Sequence, residues 1–222
     1  MKMEVSANQV QELRTKTGAG IMDCKKALAE SQGDVEKAVE YLRKKGLSAA
    51  AKKASRVASE GAVGSYIHGA GKIGVLVEVN CETDFVARNE DFQRFVKDIA
   101  MHIAAANPRY VSRSEVSADV VAKEREILEA QLKEEGKNQP ADIVAKIVEG
   151  RLGKFYKEVC LLEQPYVRES DKSVETVLNE IVSKIGEKIE IRRFVRFQLG
   201  EGIEKRSDDF ASEVARMASG VN

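Results

Sequence analysis

Apolar residues along this chain recur at two periods: three to four positions over most of its length, and two positions in a few short runs. Val10 and Leu13, then Ala27 and Leu28, then Val35, Ala38, Val39 and Leu42 fall at helical spacing in three short segments. Ser6 can cap the first segment, and Thr17-Gly18-Ala19-Gly20 ends it. The second runs from Met22 to Glu30, Gly33-Asp34 starts the third, and Gly46 ends it. Residues 1–46 are therefore expected to fold as a three-helix bundle. So small a core is marginal, which suits a docking module better than a catalytic body. Residues 47–60 include SAAAKKASRVASE, rich in Ala and Lys and almost without large apolar side chains, and read as an exposed helical linker. A basic patch for RNA is the sharper alternative for the same stretch.

Alternation starts at Gly61. A strand through Ile67, a turn at His68-Gly69-Ala70-Gly71 and a return from Lys72 to Cys81 predict a hairpin, with Val75, Val77 and Val79 on one face. A third strand is expected over Ile189–Leu199. Residues 61–199 are thus expected to be an α+β core, a three-stranded antiparallel sheet packed by helices on one side. The return strand runs into VNCETDFVARN, Val79 to Asn89, and Asn89 caps a long helix with Phe92, Phe95, Val96, Ile99 and Ile103 on one face. Thr83-Asp84-Phe85 sits between them, where the chain turns. Either Thr83 or Asp84 caps a helical turn and Phe85 folds into the core, or the acidic and aromatic pair is exposed and enters a partner. Local sequence does not choose.

Ser117 opens another helix, with Val120, Val121, Ile127, Leu128 and Leu132 spaced for one face. Gly136 to Pro140 makes a turn, and Ile143, Val144, Ile147, Val148, Leu152, Phe155, Tyr156 and Val159 mark the return. An antiparallel helical hairpin over about 117–160 follows, either flat on the core or protruding from it. Pro165-Tyr166-Val167 reads as extended and Val174–Lys188 as a helix. After Gly200-Glu201-Gly202, residues 200–222 carry a last amphipathic stripe, Phe210, Val214 and Met217, capped by Ser207 or Asp208.

Composition narrows the chemistry. Lys plus Arg and Asp plus Glu are both 36 in 222 residues, so no basic excess points to phosphate neutralisation, and direct nucleic-acid binding is not expected. No apolar run has membrane-spanning length, and MKMEVSANQV has no signal-peptide core, so a cytoplasmic protein without a membrane partner is expected. Cys24, Cys81 and Cys160 are isolated and odd in number, which argues against disulfides and zinc. TGAGIMD joins two helices and lacks the Gly-Lys-Ser/Thr ending of a phosphate loop. Ile21 and Met22 after its glycines are either the module's own core or a partner contact. His68 and His102 have no metal-ligand partner at usable spacing, and no nucleophile–base–acid set is visible. Neither a catalytic residue, a metal nor a cofactor is expected.

Two motifs carry a family resemblance. Glu12-Leu13-Arg14 with TGAGIMDCKKAL, Thr17 to Leu28, resembles the N-terminal signature of the bacterial elongation factor Ts family, and VNCETDFVARN resembles its second signature. The resemblance continues through GIEK near residue 202, so it spans essentially the whole chain in the right order. It implies a ubiquitin-associated-like N-terminal bundle, a protruding coiled-coil arm, and a non-catalytic guanine-nucleotide exchange factor for elongation factor Tu in translation elongation. Under it, Phe85 wedges beside the Mg²⁺-side helices of that GTPase, next to Thr83, and Asp84 disturbs groups around the metal. Arg14, Ile21 and Met22 dock the first module on a helix of the same domain. His68 and the stripe from Phe210 to Met217 are further contacts, the C-terminal module reaching the partner's nucleotide-binding domain or packing on the core.

The chain departs from long family members, which contain two related halves of the core. One sheet unit leaves an open edge, and open edges invite pairing, so a homodimer completing the core is expected. Short members tend to lack the C-terminal helix, which this chain has. Two other classes remain: an adaptor using the three-helix module, and an RNA-binding translation protein.

Overall fold

The computed structural model describes residues 5–135 and 140–203. Among them eight helices and a three-stranded antiparallel sheet make a mixed α+β fold.

The first three helices are α1 (Ala7–Thr17), α2 (Ile21–Glu30) and α3 (Val35–Lys53). Ser6 and Gln9 form a reciprocal capping box at the start of α1, and Gly18 ends it in the left-handed region at φ 66°. Asp34 caps α3 by accepting the Lys37 N–H at 3.1 Å. Leu13, Cys24, Ala27, Leu28 and Ala38 close a small core of their own. The expected helix end at Gly46 is corrected: α3 runs seven residues further, so the third helix takes in the first half of the linker. Gly46 is buried, and a Cβ there would lie 3.4 Å from the Ser183 side chain. Its missing side chain serves close helix approach, not termination.

Strands β1 (Glu60–His68) and β2 (Ile73–Cys81) form the hairpin. The ribbon β3 (Pro165–Tyr166) and β4 (Glu169–Ser173) stands apart from them, and its second strand has no clear hydrophobic pattern in the sequence. Strand β5 (Ile189–Gln198) pairs with β2, giving the sheet order β1-β2-β5. Inward residues Val75, Val77, Val79, Ile189 and Ile191 meet the Phe92, Phe95, Val96, Ile99 and Ile103 face of the long helix (Glu90–Ala106). Each large apolar side chain buried there contributes about 1.5–3 kcal/mol. Helix packing is close enough that a Cβ on Gly64 would stand 2.4 Å from Val96 Cγ1.

Numbered in chain order, the short turn Asp84–Ala87 is α4, the long helix is α5, the hairpin helices are α6 (Ala118–Glu134) and α7 (Ala141–Val159), and α8 is Val174–Ile185. Helix α8 stops three residues short of the expected Lys188 because Gly186 turns left-handed at φ 91°. The hairpin has its own core of Leu128, Leu132, Val148 and Leu152, separate from that of the sheet. Ile127, assigned to the inward stripe by spacing, is one step out of phase and exposed. Ion pairs Arg125–Glu149 at 2.6 Å and Arg151–Glu135 at 3.0 Å tie the two helices. The expected capping by Ser207 or Asp208 and the stripe Phe210, Val214, Met217 lie outside the described residues.

The register also defines the sheet's second face. Ile67, Gly74 and Phe197 align across the three strands, as do Ser65, Leu76 and Val195, and then Val63, Glu78 and Arg193. Opposed residues share a face, so Val63, Ile67, Leu76, Val195 and Phe197 form one apolar outer surface. All five are exposed, Phe197 at 71%.

Candidate functional site

Strand β2 ends at Cys81, and the next helical turn starts three residues later. Thr83 is its cap: its hydroxyl accepts the Val86 N–H at 3.4 Å. Asn89 then caps α5, accepting from Asp91 N and Phe92 N. Two caps six residues apart leave α4 a single turn, with Val86 and Ala87 half-buried against the core. Phe85 points the other way and is 80% exposed. The capping half of the first reading is therefore right for Thr83, while its inward Phe85 is overturned. Burying a Phe side chain is worth about 1.5–3 kcal/mol, so this ring forgoes that stabilisation in the isolated chain.

The carboxylate of Asp84 meets Arg88 Nη2 at 2.9 Å, one helical turn on. Thr83 is gripped from afar by Glu187, whose carboxylate accepts both its N–H, at 3.0 Å, and its hydroxyl, at 2.8 Å. Glu82 accepts the Lys188 N–H at 2.6 Å and pairs with Arg56, and these bonds, the Lys188 one first, lower its pKa. Sequence reading missed Glu187, Lys188 and Arg56, because nothing local marks contacts made across 26 to 106 residues. Cys81 is buried, and burial first and the Glu187 charge second push its thiol up to about 11. It is an inert apolar filler, not a nucleophile.

Ile21 and Met22 open α2 at 54% and 76% exposure, so the reading that places them in the module's own core is overturned. Arg14 is exposed one turn before Gly18. The Gly18 turn is carried toward the start of α5 by Lys184: a Cβ at Gly18 would lie 3.7 Å from Lys184 Cδ, and Lys184 Nζ meets Asp91 at 2.7 Å. Lys184 thus touches both the turn inside the first motif and the first turn of the helix that follows the second. His68 is not part of that group. It is exposed at the hairpin turn, stacked on Tyr66, at the far end of β2 from Cys81. Eight strand steps of ~3.4 Å put these ends about 27 Å apart. Phe210 and Met217 lie outside the described residues.

The candidate site offers exposed apolar groups at two turns, Phe85 on one and Ile21 with Met22 on the other, with the Asp84–Arg88 ion pair beside Phe85. Among the described residues no group of three His, Cys, Asp or Glu side chains is arranged to hold a metal ion, and no helix is long and apolar enough to cross a membrane. The sequence profile of a family described as Elongation factor TS matches residues 4–201. The chain belongs to the elongation factor Ts family. It is similar to Elongation factor Ts of Desulforamulus reducens, 68% identical over 212 residues, 96% of this chain and 97% of that protein. Elongation factor Ts of Geobacter metallireducens is 67% identical over 216 residues, 97% of this chain and 99% of the relative. That of Acetivibrio thermocellus is 62% identical over 216 residues, 97% of this chain and all of the relative. Both motifs of the elongation factor Ts family lie inside the matched span, and membership makes the chain a translation elongation factor.

Proposed function

We propose that this chain is the guanine-nucleotide exchange factor for elongation factor Tu, acting in the cytoplasm without chemistry of its own. The observation that carries the reading is Phe85, 80% exposed on a turn held at both ends, inside the second family motif. A GTPase holds its nucleotide by a phosphate-cradling loop and a Mg²⁺ ion bridging phosphates. An exchange factor has only to bind the nucleotide-free state more tightly than the GDP-bound one. By linkage, nucleotide then weakens the factor by the same ratio. Accelerating release by thousands asks for about 4–5 kcal/mol of differential contact, within reach of a few buried aromatic anchors.

Phe85 is the wedge, entering beside the helices on the Mg²⁺ side, with Thr83 fixing its base. Asp84 reaches groups that support the metal, and its bond to Arg88 holds it ready at the surface. Arg14, Ile21 and Met22 are a second anchor on the same partner domain, with residues 1–46 as the docking module. The separation of His68 from this group makes it a distinct, outlying contact. Phe210 and Met217, in the module 200–222, are a third contact on the nucleotide-binding domain. The hairpin over 117–160 is the family's projecting arm, a reading supported by its separate core.

A homodimer belongs to the same proposal. In a twofold dimer the same surface patch of each copy meets the other. The outer face centres on Ile67, Leu76, Val195 and Phe197, and Glu78 beside them is paired with Arg192 at 2.7 Å and Arg193 at 2.6 Å. A second copy of this chain therefore meets an apolar surface whose neighbouring carboxylate is already ion-paired.

The deciding experiment is release of a fluorescent GDP from elongation factor Tu, with and without this protein. Fast release by the wild type and slow release with Phe85→Ala supports the reading. No acceleration by a folded wild type overturns it.

A further inference from the structure

The turn that presents Phe85 is held by a residue from a distant element. Glu187 sits just after Gly186, in the bend between α8 and β5. Its Oε2 accepts the Thr83 N–H at 3.0 Å and its Oε1 accepts the Thr83 hydroxyl at 2.8 Å, across 104 residues of sequence. The same hydroxyl accepts the Val86 N–H at 3.4 Å. In return, Glu82 accepts the Lys188 N–H at 2.6 Å and the Arg56 guanidinium at 3.2 and 3.3 Å. Two neighbouring residues of one bend thus each share a carboxylate bond with two neighbouring residues of the other.

We infer that Glu187 is a positioning residue for Phe85: by gripping Thr83 it sets the rotation of α4 that keeps the aromatic ring outside. The inference rests on the exchange reading above. Successive residues of a helical turn point about 100° apart. Val86 packs against the sheet core, and Phe85, one residue earlier, faces solvent. A rotation of that size exchanges the two, and apolar burial favours it because a phenyl ring leaves water. The Glu187 grip opposes the rotation. Two charge-assisted bonds to one residue define an orientation that a single bond leaves free. With its proton given to Glu187, the Thr83 oxygen turns its lone pairs to Val86 N–H and starts the helix at the observed phase. The Asp84–Arg88 pair lies within the turn and moves with it, so it does not set this rotation.

The free protein supplies the first test. The chain contains no tryptophan, so Phe85→Trp introduces a single reporter at the ring's position. Adding Glu187→Ala is expected to shift its emission to shorter wavelength and lower acrylamide quenching about twofold, as the ring turns in. Emission and quenching unchanged by Glu187→Ala would overturn the inference, whatever the protein does to its partner. The second test is a cycle in the GDP-release assay. Glu187→Ala is expected to slow release at sub-saturating protein about tenfold, or about 1.4 kcal/mol, and Glu187→Gln, which keeps one acceptor oxygen, to restore part of it. In the Phe85→Ala background the same change is expected to matter less than about twofold. A full tenfold loss in both backgrounds means that Glu187 does not act through Phe85, and overturns the inference while leaving the exchange reading intact. Should Glu187→Ala not fold, as judged by circular dichroism, Thr83→Val removes the gripped hydroxyl and is carried through the same cycle with Thr83→Ser as its reference.

Discussion

Lys184 Nζ lies 2.7 Å from Asp91 Oδ2, and the stem of the same lysine lies against the turn at Gly18. One side chain on α8 therefore touches the first turn of α5 and the loop that leads into Ile21 and Met22. The anchors proposed for one partner are on separate elements, and their relative placement depends on such bridges. Both members of the pair are partly exposed, so its own contribution to stability is about 0–1 kcal/mol. Lys184→Ala is expected to leave the thermal midpoint almost unchanged and to weaken the acceleration of GDP release at limiting protein. Equal acceleration at every concentration would mean that the two anchors are set without this bridge.

Phe85 and Phe92 provide a contrast seven residues apart. Phe92 is fully buried under the sheet, and Phe85 is at the surface. Phe92→Ala is expected to cost about 3–5 kcal/mol in urea unfolding. Phe85→Ala is expected to slow exchange, and Asp84→Ala with Phe85→Ala to abolish it, each with a stability change of no more than about 0.5 kcal/mol. An unfolded double variant would show that this turn serves the core.

His102 makes stability depend on pH. It is buried beneath Tyr166, its Nδ1 accepts the Val167 N–H at 3.2 Å, and its Nε2 lies 3.0 Å from Gln164 Oε1. Accepting on Nδ1 requires the neutral ring with its proton on Nε2. Burial, ahead of the opposing Gln164 bond, lowers its pKa from the usual 6.5. The unfolded chain therefore binds the proton more readily than the folded one, and stability rises with pH through this range. The contribution is complete above about 6.5 and is lost as pH falls from there toward the folded pKa. Glu78 and Glu82, whose pKa values are also lowered, lose their contributions only further down, below the usual carboxylate value of 4.5. Urea midpoints measured from pH 8 to pH 5 are expected to fall in the wild type. His102→Gln is expected to flatten the upper part of that fall.

Phe197 is the most exposed of the five apolar residues on the outer sheet face. If two copies meet there, Phe197→Asp buries a charge without a partner in the interface. Sedimentation velocity is expected to show a dimer for the wild type and a shift to monomer at concentrations at least about tenfold higher for the variant. A wild type that is monomeric at every concentration removes the homodimer from the proposal.

Local chemistry in the sequence was enough for most elements and many of their ends, though not for β4. Val75, Val77 and Val79 alternate because strand side chains do, and Ser6, Asn89 and Ser117 cap because their oxygens reach N–H groups two or three residues on. The two motifs were legible for the same reason: each is one continuous stretch. What the sequence left open depended on neighbours far along the chain. Gly46 looks like a helix end until α8 packs against it, and only the approach of Ser183 shows why a glycine stands inside a continuous helix. Ile127 fits the apolar stripe by spacing, yet the partner helix takes Leu128 and Leu132 and leaves it outside. Whether Phe85, Ile21 and Met22 are core or surface was undecidable locally, because one step of rotation separates the two outcomes. Tertiary structure decided it by what packs around each turn, where side chains such as Glu187 and Lys184 reach whatever folding brings within hydrogen-bond distance, at any separation in sequence.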